Sequence, residues 1–390
     1  MKEILYSISM ANLLFFGVVL GAVKQGNWQA NRWLAGFFLI AAILLLQTIL
    51  EYSGYFQTHP EFIDVLMPLS FCWGTTYYFY TQRLTDGSTS FRPYAWLHGL
   101  PALLCFLQFL PLYRASDSQK LDYLARLMND QPTDYDHIAG LSLLHFLGYL
   151  LLSFRLVNRH QRHVKNYFSG SLEKRNLAWL RRLNYGLLLV WLLWANFHLH
   201  ELFPDYIPAF PVLQAFTPLL LIGILFSLGY YAVRQNAIFP KEEPLAPLPI
   251  GPELPDEPVL RIPRSASLPD ARKQQLKQRL FESMKVGKAY RNCDLTLPEL
   301  AAHLATTTNI LSELINNELG QNFYDFVNSY RVEECKALML DPKYDRYTLL
   351  ALAFEAGFNS KSTFHKAFKD STGQSPGQYR KEMRKVSLSV

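Results

Sequence analysis

The pattern of apolar and polar residues divides the chain into two parts. Seven runs in the first part are predominantly apolar for about twenty residues each, which is the length that an α-helix needs to cross a lipid bilayer. They lie near residues 4–23, 33–55, 62–82, 94–112, 138–157, 183–203 and 210–233. From residue 270 onward, apolar residues recur at the spacing of short amphipathic helices. The pattern predicts an all-α protein in which a seven-transmembrane-helix bundle over 1–235 precedes a helical domain over 270–390.

The segment 236–269 is predicted to be a linker between these parts. Nine prolines occur among the thirty residues from 240 to 269. Proline lacks a backbone N–H group and clashes with the preceding helical turn, so this segment cannot be the interior of a helix. A proline-rich segment is instead an extended, semi-rigid spacer. A continuous rigid helix from the seventh span into the last domain is therefore excluded.

The distribution of basic residues predicts the orientation of the seven spans. Lysine and arginine are enriched in the short cytoplasmic loops of membrane proteins. One set of alternate loops carries twelve of them and the other carries four. This bias places the N-terminus outside and the last domain in the cytoplasm, in a multi-pass protein of the inner (cytoplasmic) membrane. The most basic inner loop, 155–182, is interpreted as topology-setting charge beside anionic lipid rather than as a nucleic-acid-binding patch.

Composition excludes some classes of site without identifying a function. The four cysteines at 72, 105, 293 and 335 form no CxxC pair, so neither a disulfide framework nor a zinc site is indicated. The net charge is only +6, and residues 266–390 hold eighteen basic against fourteen acidic side chains. Charge alone therefore does not identify a nucleic-acid binder.

Two short helices that meet at a corner are predicted between residues 349 and 380. The first stops at Gly357, because glycine leaves a helix readily through a positive φ. Ser360 is placed to cap the second helix, whose buried stripe contains Phe364 and Phe368. The opposite face presents cations and hydrogen-bond donors, which suit DNA phosphates and base edges. Its residues are Lys361, Ser362, Thr363, His365, Lys366 and Lys369.

This stretch closely resembles the signature of the AraC/XylS family of transcription regulators. The matching positions are Ala353, Gly357-Phe358, Ser360, Ser362, Phe364, Phe368-Lys369, Gly373, Ser375-Pro376 and Tyr379-Arg380. The resemblance covers about the last hundred residues. It implies a domain with two helix-turn-helix units, whose recognition helices enter successive major grooves of double-stranded DNA.

The first of the two expected units departs from a typical DNA reader in its charge. A capping box at Thr296-Leu297-Pro298-Glu299 opens it, and its recognition helix covers 309–319. The residues expected to face DNA are Thr307, Asn309, Ser312, Glu313 and Asn316. None is a cation, so phosphate attraction is weak, although asparagine can read adenine and glutamate can accept from cytosine. Most of the affinity is therefore expected from Lys361, Thr363, His365 and Lys366, and most of the discrimination from the first unit.

Polar groups within the predicted spans are candidates for a ligand pocket, because their burial in lipid is costly unless they are paired or functional. The selected residues are His145, His198, His200 and Glu201. A catalytic metal is not expected, since histidines at i and i+2 point to different faces of a helix. No cofactor is indicated.

These features favour a membrane-embedded transcription regulator, not an enzyme, whose seven helices sense an unidentified small-molecule or membrane signal. The expected partners are double-stranded DNA and the lipid bilayer, and a homodimer is left open. A membrane enzyme or transporter with an autoregulatory DNA-binding domain is the alternative. A third reading is a module that only anchors DNA to the membrane.

Overall fold

The computed structural model describes residues 2–24, 27–86, 94–129, 131, 133–172, 175, 177–203, 205–208, 210–238 and 270–387. Side chains at 2–5, 201, 211, 214, 215, 234–238 and 384–387 lie outside this description, as does most of the predicted linker. The described residues form helices and loops, with one isolated β-bridge between Phe168 and Thr296. The predicted all-α class is therefore confirmed for this part of the chain.

The chain separates into two compact units. The first contains residues 1–158 and 178–248, and the second contains 159–177 and 249–390. The predicted boundaries assign 159–177 to the membrane half. By its contacts this segment belongs to the second unit.

The first unit is built from nine helices among its described residues. They are α1 (Lys2–Ala22), α2 (Trp28–Tyr52), α3 (Tyr55–Thr58), α4 (Ser70–Asp86), α5 (Leu100–Arg114), α6 (Asp117–Met128), α7 (Asp136–Tyr167), α8 (Ala178–Leu202) and α9 (Pro211–Ile238). The last turns of α7 belong to the second unit. Helix α1 packs on α2, α2 packs on α4, and α8 packs on α9.

Four helical segments in the described residues are long and apolar enough to cross a membrane. They are Trp28–Tyr52, Ala95–Arg114, Asp136–Tyr167 and Phe216–Val233, and Tyr6–Ala22 is a shorter apolar helix. The predicted third span over 62–82 is not a single helix. Two short 3₁₀ turns, Pro60–Phe62 and Met67–Leu69, precede α4, because Pro60 and Pro68 lack the N–H groups that a continuous helix needs.

Aromatic rings hold the centre of the first unit together. The indole of Trp73 on α4 stacks on Phe37 at 5.2 Å between centroids and on Phe146 at 4.9 Å. Gly74 permits this approach, since a Cβ there would lie 3.3 Å from the Cα of Phe146. Trp191 donates from Nε1 to the carbonyl of Leu143 at 2.9 Å, which ties α8 to α7. The core thus places α4, α7 and α8 side by side.

The second unit contains seven helices in its described part. They are α10 (Asp270–Lys285), α11 (Leu297–His303), α12 (Thr308–Glu313), α13 (Phe323–Leu340), α14 (Leu349–Glu355), α15 (Lys361–Thr372) and α16 (Pro376–Ser387). Helix α12 continues as a π-helical turn, Leu314–Glu318. We call α11 with α12 the first helix pair and α14 with α15 the second helix pair. The predicted capping box of Thr296 with Glu299 is confirmed by its hydrogen bonds, and Ser375 with Gln378 forms another one.

Each helix pair has its own apolar core, and the long helix α13 contributes to both. Leu297, Leu300, Leu311 and Ile315 bury the first pair against the N-terminal half of α13. The second pair is buried through Leu352, Phe358, Phe364 and Phe368 against the C-terminal half of α13. The two cores therefore share α13 as a common support.

Gly357 occupies the corner between α14 and α15 for two separate physical reasons. Its φ is +94°, which lies in the region that L-residues with side chains rarely adopt. A Cβ at this position would also lie 2.5 Å from the carbonyl oxygen of Tyr290 and 2.7 Å from the Cα of Arg291. The corner is therefore packed directly against the backbone of the segment 289–292.

We expect Gly357→Ala to destabilise the second helix pair by about 3 kcal/mol or more, because strain and backbone overlap add. Gly373→Ala is the matched control: its φ is +75°, and a Cβ there meets nothing within 4 Å. Strain alone predicts about 1 kcal/mol for that control. Hydrogen exchange of α14 and α15 in the full chain measures both, and equal effects would contradict the packing at Gly357.

Candidate nucleic-acid interface

Helix α15 presents one packed face and one polar face. Ser360 caps its N-terminus, where Oγ accepts from the backbone N–H of Thr363 at 3.2 Å. Phe364 and Phe368 are fully buried in the core of the second helix pair. The side chains on the opposite face are exposed, and they are Lys361, Ser362, His365, Lys366 and Lys369. This face offers exposed cations and short donors.

Thr363 does not belong to that polar face, and its predicted placement is corrected. The residue is only 5% exposed. Its Oγ1 accepts a hydrogen bond from the Ser360 hydroxyl at 2.8 Å. Position 363 precedes the buried Phe364 and lies toward the core side of the helix, so its hydroxyl completes the cap rather than facing solvent. The cap fixes where α15 begins and thereby fixes the direction of Lys361 and Lys366.

The first helix pair presents on α12 a surface without cations. Thr307 caps the helix by accepting from the backbone N–H of Ile310 at 3.3 Å. Asn309 and Glu313 are exposed. Ser312 and Asn316 are half-buried and bonded to each other, since the Asn316 amide donates to the Ser312 carbonyl at 2.9 Å and to its hydroxyl at 3.1 Å.

These contacts separate the predicted residues of α12 into two groups. Thr307, Asn309 and Glu313 are accessible, whereas the amide of Asn316 must break an intrahelical bond before it can bind anything else. Asn316 lies in the π-helical turn, a local widening that is frequent at functional sites. The sequence pattern did not predict this widening.

The two helix pairs are joined by a buried arginine on α13. Arg331 has no exposed surface, and burial lowers the pKa of its guanidinium to about 10. Its Nε donates to the carbonyl of Tyr290 at 2.7 Å, and Nη2 donates to the carbonyl of Asn292 at 2.7 Å. Tyr290 is the residue whose carbonyl Gly357 approaches. The segment 289–292 is thus held between Arg331 and the corner of the second helix pair.

The remaining donors of Arg331 are satisfied by a segment distant in sequence. Nη1 donates to the carbonyl of Ser169 at 2.8 Å, and Nη2 donates to the Ser169 hydroxyl at 3.1 Å. Asn328 donates to the same carbonyl at 3.2 Å. Ser169 in turn donates from its hydroxyl to the carbonyl of Leu295 at 2.6 Å. These bonds are the reason that 159–177 belongs to the second unit.

From sequence, the basic inner loop is interpreted as topology-setting charge. The hydrogen bonds of Ser169 are not predicted. Ser169 and Gly170 carry no charge and match no motif, so the sequence contained no signal for them. Only the buried polar pair Asn328 and Arg331 hinted that α13 needs acceptors from elsewhere, because a buried guanidinium is stable only when hydrogen-bonded.

A second polar network fixes α13 from the other side. Glu334 accepts from Lys288 at 2.9 Å and from the Tyr290 hydroxyl at 2.9 Å, and it also accepts from Arg291. Burial alone would raise the pKa of the Glu334 carboxyl, but these hydrogen bonds lower it below its ordinary value. The carboxylate therefore stabilises the folded domain.

The predicted ligand pocket is not assembled as expected. The His145 ring contacts Phe71 and Tyr149, at 5.2 and 4.8 Å between centroids. His200 bonds through Nδ1 to the carbonyl of Ile207 at 2.7 Å, and the ring of His198 contacts Phe197. The side chain of Glu201 lies outside the described residues. These histidines have different neighbours because α7 and α8 present them to different surroundings.

The first unit holds a cavity elsewhere. Its volume is about 290 Å³, and its polar lining comes from Tyr6, Ser9, Asn12 and Thr48 beside the indoles of Trp73 and Trp194. The three predicted histidines are not among the described residues that line it. In the described part of the chain, no group of three or more His, Cys, Asp or Glu side chains is placed to hold a metal ion.

Residues 300–382 match the model of a family described as helix-turn-helix domain. An uncharacterized HTH-type transcriptional regulator of Staphylococcus aureus (strain COL) is 37% identical over 87 residues, which is 22% of this chain and 11% of that protein. The uncharacterized HTH-type transcriptional regulator YtdP of Bacillus subtilis (strain 168) is 29% identical over 93 residues, covering 24% of this chain and 12% of that protein. The chain thus spans about a ninth of the length of these relatives.

A solved structure of a protein of unknown function from Listeria innocua is 27% identical. The similarity covers 27% of this chain and 94% of that protein, with a TM-score of 0.24. The family match over residues 300–382 covers most of the first helix pair, α13 and the second helix pair.

We expect Glu334→Gln to destabilise the second unit at pH 7 by about 1 kcal/mol, because the amide cannot replace a carboxylate that accepts from two cations. A lowered folded pKa gives stability that is fully present above the ordinary carboxyl pKa and is lost as the pH falls below it through the folded-state pKa. The difference between wild type and variant should therefore shrink on acidification. Hydrogen exchange of α13 in the full chain measures it.

Glu333→Gln is the control, since Glu333 is 66% exposed and pairs only with Lys336 on the same helix. It should change exchange little at either pH. A Glu334 effect that persists undiminished at acidic pH would contradict the carboxylate's role.

Proposed function

From the helix-turn-helix domain of the AraC type in residues 300–382, we propose that this protein is a membrane-embedded, sequence-specific DNA-binding transcription regulator. The observation that supports DNA binding is the polar face of α15, on which Lys361, Lys366 and Lys369 are exposed. Phosphates attract such cations, and short donors such as Ser362 and His365 can reach base edges.

Both helix pairs act as helix-turn-helix units in this proposal. Helices α12 and α15 are the recognition helices, and α13 sets the distance between them. Two recognition helices on one face of DNA must reach grooves about one helical turn, roughly 34 Å, apart. Support for this reading comes from the shared α13, which packs against both pairs through their separate cores.

The two units divide affinity and discrimination. Helix α15 supplies cations, whereas the accessible residues of α12 are Thr307, Asn309 and Glu313. Asparagine pairs with adenine through two hydrogen bonds, and glutamate accepts from the amino group of cytosine. We assign sequence discrimination mainly to α12 and electrostatic attraction mainly to α15.

Membrane embedding is proposed for the first unit. Support comes from the four long apolar helices and from leucines that point away from the core. Leu103, Leu104, Leu107, Leu144, Leu151, Leu189 and Leu192 are between 47% and 62% exposed. Exposed apolar surface on this scale suits hydrocarbon rather than water. We keep the seven-span interpretation, with α1, α4 and α8 crossing beside the four longer segments.

The first unit is proposed to sense a signal that remains to be identified. The cavity lined by Ser9, Asn12 and Thr48 is the better candidate for it than the histidines, because it combines a mainly apolar lining with a few hydrogen-bonding groups.

Lys361→Ala and Lys366→Ala should each weaken DNA binding at all sequences. Each lost phosphate contact lowers the slope of log affinity against log salt by about 0.9. The measurement is fluorescence anisotropy of the full chain in detergent with a 40-base-pair duplex (about four helical turns), selected by the wild-type chain from a random pool, at several salt concentrations.

Asn309→Ala is the matched variant on α12, the helix without cations. It should alter which sequences the chain selects and leave the salt slope unchanged. An unchanged slope in both lysine variants would overturn the assignment of α15 to phosphate contact.

The proposed orientation predicts which side of the membrane exposes the C-terminal domain. Trypsin should remove residues beyond 270 in inside-out vesicles and leave them intact in right-side-out vesicles, because the lysines and arginines of α10 to α16 would face the cytoplasm. Alkaline carbonate should fail to extract the chain from either preparation. Digestion of the domain in intact right-side-out vesicles would contradict the orientation.

A further inference from the structure

The segment Phe168–Leu172, which we call the docking loop, lies in the second unit against α13 and both helix pairs. Ser169 supplies two of the five hydrogen-bond acceptors of the buried Arg331 guanidinium. All five acceptors are uncharged oxygens. A buried cation that loses acceptors without gaining water pays a large desolvation cost. The second unit in this arrangement therefore depends on the docking loop.

The docking loop touches the frame of each helix pair. On one side, Phe168 forms an antiparallel bridge with Thr296, the residue that caps α11. On the other side, the backbone N–H of Ser171 donates to Oδ1 of Asn359 at 2.9 Å, next to the residue that caps α15. The loop therefore bridges the starts of the two pairs.

The fit leaves no space for a side chain at its centre. A Cβ on Gly170 would lie 2.9 Å from the carbonyl oxygen of Cys293 and 2.7 Å from Nδ2 of Asn359. Apolar contacts add to the fit of the docking loop. Val164 and Leu172 pack against Tyr324 of α13, and all three side chains are buried. This complementarity combines backbone, polar and apolar contacts in one place.

The docking loop leaves the proposed DNA-binding residues uncovered. Lys361, His365 and Lys366 on α15 and Asn309 and Glu313 on α12 are exposed while the loop is seated. A segment that acted by covering the DNA surface would bury some of them. The contacts to Thr296 and Asn359 instead connect the starts of the two helix pairs, whose spacing α13 sets.

We propose that the docking loop is an intramolecular ligand of the DNA-binding domain and the route by which the membrane half controls it, an inference that rests on the proposed function. The loop follows α7 directly and precedes α8. A displacement of either helix therefore moves Ser169 relative to Arg331. With the loop seated, both recognition helices are held for two-groove binding; with the loop withdrawn, the pairs move independently and specific affinity falls.

The test compares Gly170→Val with Gly148→Ala in the full chain. The first variant places atoms against the carbonyl of Cys293, whereas a Cβ at Gly148 on α7 meets nothing within 4 Å. Ser169→Ala is a second, milder variant that removes the hydroxyl contacts to Arg331 and Leu295 without steric overlap. Folding of each variant is checked by exchange protection of the α13 and α15 cores.

Two measurements are made on each protein. The first is hydrogen exchange of the loop, where the N–H groups of Ser169 and Ser171 are bonded to Leu295 and Asn359. The second is affinity for the duplex selected by the wild-type chain. Gly170→Val should lose loop protection and at least tenfold in affinity, with an unchanged salt slope because no cation is removed. Ser169→Ala should lower loop protection and DNA affinity by smaller amounts, and Gly148→Ala should change neither quantity.

An undocked loop with wild-type affinity overturns the proposal while leaving the proposed function intact. Tighter binding by Gly170→Val also overturns it, because the loop would then be an inhibitor. If Gly170→Val loses hydrogen-exchange protection of α13, the result for Ser169→Ala decides instead. Unchanged DNA affinity of Ser169→Ala together with faster hydrogen exchange of its loop would overturn the proposal. A wild-type chain that protects its loop but selects no duplex from the pool overturns the proposed function instead.

Discussion

The second unit depends on satisfying one buried charge, the guanidinium of Arg331. It is enclosed by neutral oxygens from three separate stretches of chain, contributed by Ser169, Tyr290 with Asn292, and Asn328. Arginine suits this position because its planar fork directs several donors at once and stays ionised even when burial lowers its pKa. Removing any one of the three stretches would leave part of a charged group without partners. The charge therefore specifies one arrangement of the domain more strictly than apolar packing does.

This constraint connects the packing of the second helix pair with that of the docking loop. The carbonyl of Tyr290 accepts from Arg331 and also lies where a Cβ on residue 357 would be. Gly357 at the α14–α15 corner is thus needed because Arg331 on α13 holds the carbonyl of Tyr290 at the place that a Cβ would occupy. Glu334 holds the same segment through Lys288, Tyr290 and Arg291. Helix α13 therefore acts as the frame to which both helix pairs and the loop are fixed.

The proposed route of control runs through the docking loop rather than through the proline-rich linker. By its composition the linker is expected to be a semi-rigid spacer, which excludes a continuous helix into the last domain. The docking loop is short, joins directly to α7, and makes specific contacts with α13. A small movement at such a seat changes which buried donors are satisfied, so a shift of the loop has a large energetic consequence. This is the physical basis for assigning control of the DNA-binding domain to the docking loop rather than to the linker.

The sequence by itself determined the features that are local. Helical periodicity, the caps at Thr296 and Ser360 and the Gly357 stop follow from contacts within a few residues, and each is both predicted and found. Exposure of Lys361 and Lys366 followed from the same periodicity, whereas Thr363 was misplaced because its position near the edge of the buried stripe is decided by the core. The linker lies outside the described residues.

Only the tertiary structure decided the distant pairings. Ser169 and Arg331 are 162 residues apart and share no motif, so no pattern could have joined them. The same is true of the cavity beside Ser9 and Thr48, which replaced the histidines as the candidate ligand site. Local hydrogen bonds and apolar spacing are recorded in neighbouring residues, but the partner of a buried charge depends on how the whole chain folds.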